Sequence, residues 1–262
     1  MVPDSQPLPP EAGGPIRLGA EFERIFAAAE AAGLTIRLMG SLAVWLACPA
    51  GRASVVGRRD PYADIDLVAY GRQSRELAAV FSALGYEADR EVYIISEGRR
   101  SIYELPGASL HVDVFYDQLD FNHQIRLQGR LEAERPTIPL AELLLSKLQI
   151  VKVNEKDLLD VLLLLGDHEL DGAEPGAIDV GRVAELCAEE WGLWRTATIN
   201  IDKARLNATA QEGLPAEGRA LLIGQLEALA GRLDAAPKSR AWRMRARVGE
   251  RRKWYADVDE VR

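Results

Sequence analysis

Two periods of hydrophobic and polar positions follow one another along this chain. Up to about residue 138, short apolar runs bounded by Gly, Pro and charged residues predict strands, at 35–39, 64–70, 92–96, 101–105 and 110–115. Apolar residues spaced three and four apart predict helices among these strands, at 19–33, 42–48 and 73–84. Beyond Pro139 only the helical period continues, with helices predicted at 140–151 and 155–167 and three or four more after 178.

The change of period predicts an α+β fold in which a mixed sheet flanked by helices is followed by an all-helical C-terminal domain. Residues 1–16 are rich in Pro and Gly and are predicted to be a disordered tail. The sheet-bearing domain is placed at 17–138 and the helical domain at 139–262. Asn154 is predicted to cap the helix that follows it.

Composition narrows the class of protein without identifying a function. The chain has 262 residues, a net charge of −8 and 48% hydrophobic residues, as expected of a globular protein without a general attraction to nucleic acid. Cys48 and Cys187 are predicted to be reduced core thiols. The N-terminus lacks the apolar run of a signal peptide, and the longest apolar run, 161–165, is too short to span a bilayer. A cytoplasmic protein without a membrane partner is expected.

Asp64 and Asp66 share one face of a predicted strand, because strand side chains alternate between the two faces. Strand geometry places them roughly 5–7 Å apart, and at an effective dielectric of about 20 their repulsion is on the order of 3 kcal/mol. A solvated surface, a protonated carboxyl or a bound cation would each relieve it. Asp113, a third acid within an otherwise apolar strand, favours the cation, and hard oxygen ligands suit Mg²⁺ or Mn²⁺.

Gly40 and Ser41 lie where the first predicted strand runs into a helix. Unpaired backbone N–H groups at a helix N-terminus attract anions, and Gly lets a ligand approach the backbone. The alternative interpretation of Ser41 is a simple helix cap, a routine role of serine. The junction alone therefore indicates either an anion site or a cap.

Five segments together resemble a known pattern. They are Gly40-Ser41, Asp64-Ile65-Asp66, Val112-Asp113-Val114, the lysine-bearing stretch 138–148 and Lys156-Asp157-Leu158-Leu159-Asp160. The first three resemble the nucleotidyltransferase superfamily of DNA polymerase β. With the last two, the chain most resembles bacterial abortive-infection and type IV toxin–antitoxin proteins of that superfamily. The resemblance covers about residues 34–166.

This resemblance implies a two-metal transfer of NMP from an NTP, such as ATP, to a hydroxyl, with release of pyrophosphate. Gly40 and Ser41 would then hold the triphosphate, and Asp64, Asp66 and Asp113 would bind Mg²⁺ or Mn²⁺. Asp113 would also help to deprotonate the acceptor. The chain departs from the pattern in its long segment 42–63, whose Arg52, Arg58 and Arg59 are either phosphate contacts or a solvated loop.

Several further polar residues allow more than one interpretation. Lys147, on a Leu-rich helix, is either a phosphate ligand or a surface lysine with a buried stem. Lys156, Asp157 and Asp160 are expected to form surface pairs, and His123 is expected to be exposed. No zinc-protease, C-x-x-C, P-loop or G-x-S-x-G motif occurs, which leaves those enzyme classes without support.

Segment 238–255 holds eight Lys or Arg and one Glu, a local charge of +7. Such a segment fits RNA, tRNA included, or an acidic partner; packing through Trp242 and Trp254 as a plain surface helix is the alternative. The acceptor is thus left open among an RNA end, a protein hydroxyl and a small molecule. A non-catalytic nucleotide-binding module, or one that binds an antitoxin, is the alternative function.

Overall fold

The computed structural model describes residues 15–51, 64–108, 110–171 and 176–258. Its helices are α1 (Pro15–Ala31), α2 (Gly40–Ala47), α3 (Ser74–Ala83), α4 (Arg90–Ile95), α5 (Leu140–Leu148), α6 (Glu155–Asp167), α7 (Val180–Glu189), α8 (Trp191–Ala210), α9 (Ala216–Ala235) and α10 (Arg240–Val248). Its strands are β1 (Ile36–Met39), β2 (Asp64–Ala69), β3 (Glu87–Ala88), β4 (Arg100–Glu104), β5 (His111–Tyr116), β6 (Gln118–Asp120) and β7 (Gln124–Arg126). The predicted α+β class is confirmed.

Five strands form a mixed sheet in the order β1-β2-β5-β4-β3. The central pair, β2 and β5, is parallel, and the outer pairs are antiparallel. β6 and β7 form a separate two-stranded sheet. The parallel pair sets the predicted acidic positions of both strands side by side.

The described residues form two compact units that interleave along the chain. The sheet-bearing unit contains residues 15–42, 64–118 and 127–136, apart from 109. The helical unit contains 43–51, 119–126 and 137–258, apart from 172–175. The predicted domains, in contrast, were continuous segments on either side of residue 138. The predicted tail lies outside the described residues as far as 14, and α1 begins at Pro15.

The core of the sheet-bearing unit follows from the alternation along its strands. Ile65 and Leu67 of β2 are completely buried, as are Val112 and Val114 of β5. α1 packs against β1 and β2 with its apolar face, which includes Phe22, Ile25 and Ala29, all fully buried. Because the apolar positions of β2 and β5 face this core, the acidic positions between them face away from it.

One predicted strand, 92–96, is wrong. The segment is helix α4, which begins after Asp89, and the Asp89 carboxylate accepts hydrogen bonds from the backbone N–H of Glu91 at 2.9 Å and of Val92 at 3.2 Å. Only Val92 of the helix is buried. A side-chain cap and a single buried position are sufficient for one and a half turns of helix, in spite of the β-branched residues.

Helix α8 is central to the helical unit and packs against α5, α6, α7, α9 and α10. Every residue of α5 is buried. Asn154 caps α6 as predicted, because its side-chain oxygen accepts a hydrogen bond from Asp157 N–H at 3.0 Å. Cys48 and Cys187 are buried free thiols, also as predicted. Within the described ranges, no helix is both long and apolar enough to cross a membrane.

His123 is buried rather than exposed, which corrects the prediction. Its ring nitrogens lie 2.9 Å from Glu190 Oε1 and 2.9 Å from Thr196 Oγ1, and its backbone N–H donates to Gln149 Oε1 at 3.1 Å. A buried imidazole is stable where both nitrogens have partners. These partners lie between α7 and α8, on α8 and just after α5, far away in sequence.

Candidate active site

The acidic residues meet on the two central strands of the sheet. Asp66 of β2 stands directly opposite Asp113 of β5 in the parallel register, and Asp64 stands opposite His111. Opposed residues of a strand pair have side chains on the same face, so Asp64, Asp66 and Asp113 share one face. Asp64 is exposed and the other two are partly buried. The three predicted acids are therefore on one face, with two of them in adjacent positions.

Gly40 directly follows β1, and its backbone lies close to the side chain of Asp66. Its φ of +71° is in the left-handed region that favours glycine. A β-carbon at this position would overlap Oδ2 of Asp66 and lie 2.9 Å from its Cγ and 3.1 Å from its Cβ. Glycine is thus required here twice, once for the backbone turn and once for the approach to the carboxylate.

Ser41 is the second residue of α2, whose N-terminus begins at Gly40. The first N–H groups of a helix have no partner within the helix and carry the positive end of its dipole. Ser41 is partly exposed. The helix N-terminus attracts anions, but it borders the negatively charged Asp66. A cation held by Asp66 would reduce the repulsion between the carboxylate and a bound anion.

Asp113 is held by Arg100, a residue of β4 that the sequence did not single out. The Arg100 Nε donates to both carboxylate oxygens, at 2.8 Å and 3.0 Å, and the same guanidinium forms an ion pair with Oδ2. The guanidinium also lies 5.3 Å from the ring centre of Phe115. Arg100 and Asp113 side chains are 26% and 13% exposed, so this pair is only partly screened by water.

Charges of the site act on one another across the sheet face. Burial raises the pKa of Asp113 and the Asp64 charge raises it further, while the hydrogen bond and charge of Arg100 oppose them; the net direction is upward. The pKa of Arg100 is raised by its hydrogen bond to Asp113 and by the charges of Asp113 and Asp66, against burial. Arg100 is thus the local counter-charge of the acidic face.

The donor chemistry of this face fits a divalent cation in part. Asp64 and Asp66 offer the carboxylate oxygens that Mg²⁺ or Mn²⁺ prefers. In the part of the chain that the structure describes, however, no three Asp, Glu, His or Cys side chains converge as ligands of one ion. Both oxygens of Asp113 accept from Arg100, although each retains acceptor capacity. Asp64 and Asp66 offer carboxylate oxygens of the right chemistry, and Asp113 shares its oxygens with Arg100.

Lys147 lies in the helical unit, and its ammonium is buried. It forms ion pairs of 3.0 Å with Asp157 and with Asp160. Asp157 is 9% exposed and Asp160 completely buried, so the surface position expected of these two acids is wrong, whereas Lys156 is exposed. The two carboxylates together raise the pKa of Lys147 against the effect of its burial. Because the ammonium is already paired, we leave Lys147 out of the nucleotide site proposed below, where the sequence had suggested it.

Arg52, Arg58 and Arg59, interpreted from the sequence as either phosphate contacts or a solvated loop, lie outside the described residues. The sequence therefore supplied Gly40, Ser41 and the three acids of this face, and it missed Arg100. The one signal for Arg100 was a basic residue at the start of a strand predicted from its apolar members.

No family model matches this chain, and no curated protein sequence matches it. Among solved structures it is similar to the antibiotic-resistance factor ANT(2'')-Ia, determined in solution. The identity is 15% and the TM-score 0.33, over 82% of this chain and 94% of that chain. A likeness at this level carries no argument, so the function is argued from the residues of this chain alone.

Proposed function

We propose that this protein transfers a nucleoside monophosphate from an NTP to a hydroxyl acceptor and releases pyrophosphate. The observation that carries the proposal is the contact of Gly40 with Asp66, because it joins a helix N-terminus to the acidic pair Asp66 and Asp113. Triphosphates need an anion site beside cation-binding acids, and the proposal is supported by a helix N-terminus that lies beside carboxylates on this sheet face. The resemblance of the three motifs to nucleotidyltransferases supports the same function.

Each residue of the face has a role in this reaction. The N–H groups at the start of α2 and the Ser41 hydroxyl bind phosphate oxygens of the NTP. Asp64 and Asp66 hold Mg²⁺ or Mn²⁺, which neutralises charge on the attacking and leaving oxygens when bound. The acceptor oxygen bonds to the α-phosphorus, the bond to the β-phosphate oxygen breaks, and pyrophosphate leaves with that electron pair.

Asp113 takes the proton of the acceptor hydroxyl in this scheme. Its carboxylate has lone pairs beyond those that Arg100 engages. Burial raises its pKa and thus makes it a better proton acceptor, while the hydrogen bond and charge of Arg100 oppose that rise. The acceptor itself, whether an RNA end, a protein hydroxyl or a small molecule, is identified by which pool the enzyme labels.

One observation favours the alternative, a non-catalytic nucleotide-binding module. Arg100 engages both oxygens of Asp113. An arginine in this position supplies a fixed positive charge of the kind that a metal ion would bring, without its ability to activate a hydroxyl. Such a module would bind an NTP and leave it intact, or present the same face to a partner protein such as an antitoxin.

The test is incubation of the purified chain with labelled NTPs, Mg²⁺ or Mn²⁺, and separate RNA, protein and metabolite pools, with pyrophosphate release measured in parallel. Label in one pool together with pyrophosphate supports transfer. Asp64→Asn, Asp66→Asn and Asp113→Asn should each reduce the rate at least about a hundredfold, since a metal ion contributes several kcal/mol and each 1.36 kcal/mol is tenfold.

Asp202→Asn is the matched control, because Asp202 is an exposed acid of α8 that pairs only with Arg205 in the described structure. It should leave the rate unchanged. Metal-dependent NTP binding without label in any pool would favour the module. A rate that survives in two of the three site variants would exclude the proposed roles of the acids.

A further inference from the structure

The C-terminal basic segment is fixed to the helical unit through its aromatic residues. Trp242 of α10 packs edge-on against Trp194 at 5.2 Å between ring centres, and Trp254 packs against Trp191 at 6.2 Å. The Trp254 indole N–H donates to Thr196 Oγ1 at 3.1 Å. Both indoles pack against the helical unit, as in the alternative interpretation given above. The outer face of the segment is therefore formed by charged side chains.

Arg245 belongs to this inner side. Its guanidinium lies 4.6 Å from the ring centre of Trp191 and donates to the carbonyl oxygens of Gly249 at 2.6 Å and Arg252 at 2.8 Å. It fastens the chain that leaves α10 and is not available to a partner. Among the arginines of α10, Arg245 is thus a structural residue.

Arg240, Arg243 and Arg247 form an outward stripe along α10. They stand three and four positions apart, which places them on one face of the helix. All three are exposed. Met244, 69% exposed, lies on the same face. At a rise of 1.5 Å per residue the stripe is about 10 Å long.

The stripe has no acidic counterpart in the described structure. None of its three arginines forms an ion pair with a carboxylate there; Arg243 makes one hydrogen bond, from Nε to the Ser239 carbonyl at 3.4 Å. The nearby acid Glu250 is engaged by Arg195 at 2.6 Å. Three neighbouring cations without counter-charges repel one another, and a ligand with regularly spaced negative charges would relieve that repulsion.

We propose that the Arg240, Arg243 and Arg247 stripe binds the phosphate backbone of single-stranded nucleic acid. Along the axis of a strand with stacked bases, about 10 Å carries about three phosphates. The planar guanidinium suits bidentate contact with phosphate. The exposed Met244 adds an apolar surface, and unstacked bases offer apolar faces to such a surface. An acidic protein segment would need carboxylates at matching intervals, whereas a nucleic acid supplies a charge at every nucleotide.

Fluorescence anisotropy with labelled 20-nucleotide single-stranded RNA and DNA tests the proposal. It needs no NTP turnover, so its outcome is independent of the proposed function. At about 0.1 M salt, loss of three phosphate contacts should weaken binding about a hundredfold, and the plot of log affinity against log salt should flatten by about 2. The triple variant Arg240→Gln, Arg243→Gln, Arg247→Gln should show both effects.

Two further variants separate the stripe from general charge. Arg17→Gln, Arg75→Gln, Arg90→Gln alters the net charge equally at exposed arginines of the sheet-bearing unit, and it should bind nearly as the wild type does. The variant Arg240→Lys, Arg243→Lys, Arg247→Lys keeps the charges but loses the planar guanidinium groups, so its affinity should lie between those of the wild type and the Gln variant. Far-ultraviolet circular dichroism of each variant checks that the total helix content is unchanged.

The RNA and DNA arms show which sugar is preferred, and binding of either supports the proposal. Wild-type protein that binds neither at 50 mM salt overturns it. So does a scattered-arginine control that loses as much affinity as the stripe variant. Labelled poly-glutamate that binds as tightly, with the same dependence on the stripe, would identify an acidic protein as the partner and overturn the nucleic-acid assignment.

Discussion

Replacing Gly40 with Ala tests the contact that the proposed site depends on most. The left-handed conformation at φ +71° costs a residue with a β-carbon about 1–2 kcal/mol. The new methyl group would in addition overlap Oδ2 of Asp66, so the carboxylate has to rotate away or the backbone has to shift. The variant should therefore lose stability and also lose whatever Asp66 binds.

Gly33 offers a matched control within the same unit. Its φ is +72°, and a β-carbon there would meet nothing within 4 Å. Gly33→Ala carries the backbone strain of about 1–2 kcal/mol without the carboxylate contact. The difference between the two alanine variants isolates the effect of the methyl group on Asp66.

Urea unfolding measures the loss of stability. Titration with Mn²⁺, followed by electron paramagnetic resonance, measures the loss of metal binding. Gly33→Ala should unfold at lower urea with unchanged Mn²⁺ affinity. Gly40→Ala should lose at least tenfold in Mn²⁺ affinity, since displacement of the groups that support a metal ligand costs about ten- to a hundredfold. If both variants bind Mn²⁺ as the wild type does, Gly40 does not position Asp66 for a metal and the reasoning is refuted.

Two further predictions concern the paired charges. Arg100→Gln removes the cation that engages both oxygens of Asp113, which makes those oxygens available to a metal ion. Because a charged hydrogen bond contributes about 1.5–3 kcal/mol, titration should show Mn²⁺ binding about ten- to a hundredfold tighter. Weaker binding would mean that Arg100 instead orients Asp113 for the metal. Lys147→Met leaves the buried Asp157 and Asp160 uncompensated and should cost about 3–5 kcal/mol in urea unfolding. The additional change Asp160→Leu should recover part of that loss, and no recovery would contradict the pairing.

The elements that the sequence predicted well have their causes close by in the chain. β2 and β5 follow from alternation around Asp66 and Asp113, and α6 follows from a cap three residues before Asp157. The same local logic gave Gly40, because a chain that turns sharply from a strand into a helix favours a residue without a β-carbon. For these features, the residues that determine the structure lie within a few positions of the element they determine.

The errors arise where the determinant is distant. His123 is buried by Glu190 and Thr196, 67 and 73 positions away. Lys147 and Asp160 were assigned to the surface or to a ligand because each is charged, and only the packing of α5 against α6 brings them together. Arg100 reaches Asp113 only because β4 pairs with β5, and the sequence pattern does not specify that pairing. Local sequence patterns cannot predict such pairs, because each polar residue, taken alone, could equally well be exposed to solvent.

The parallel pairing of β2 with β5 also has a consequence for the order of folding. Asp66 and Asp113 are opposed in the sheet but 47 positions apart in the chain, so a long loop must close before they meet. β4 and β5 are joined by a short connection and can pair early, so that Arg100 engages Asp113 first. In this order Asp66 meets a strand whose carboxylate already has a positive partner, so closure of the loop between β2 and β5 meets less electrostatic repulsion.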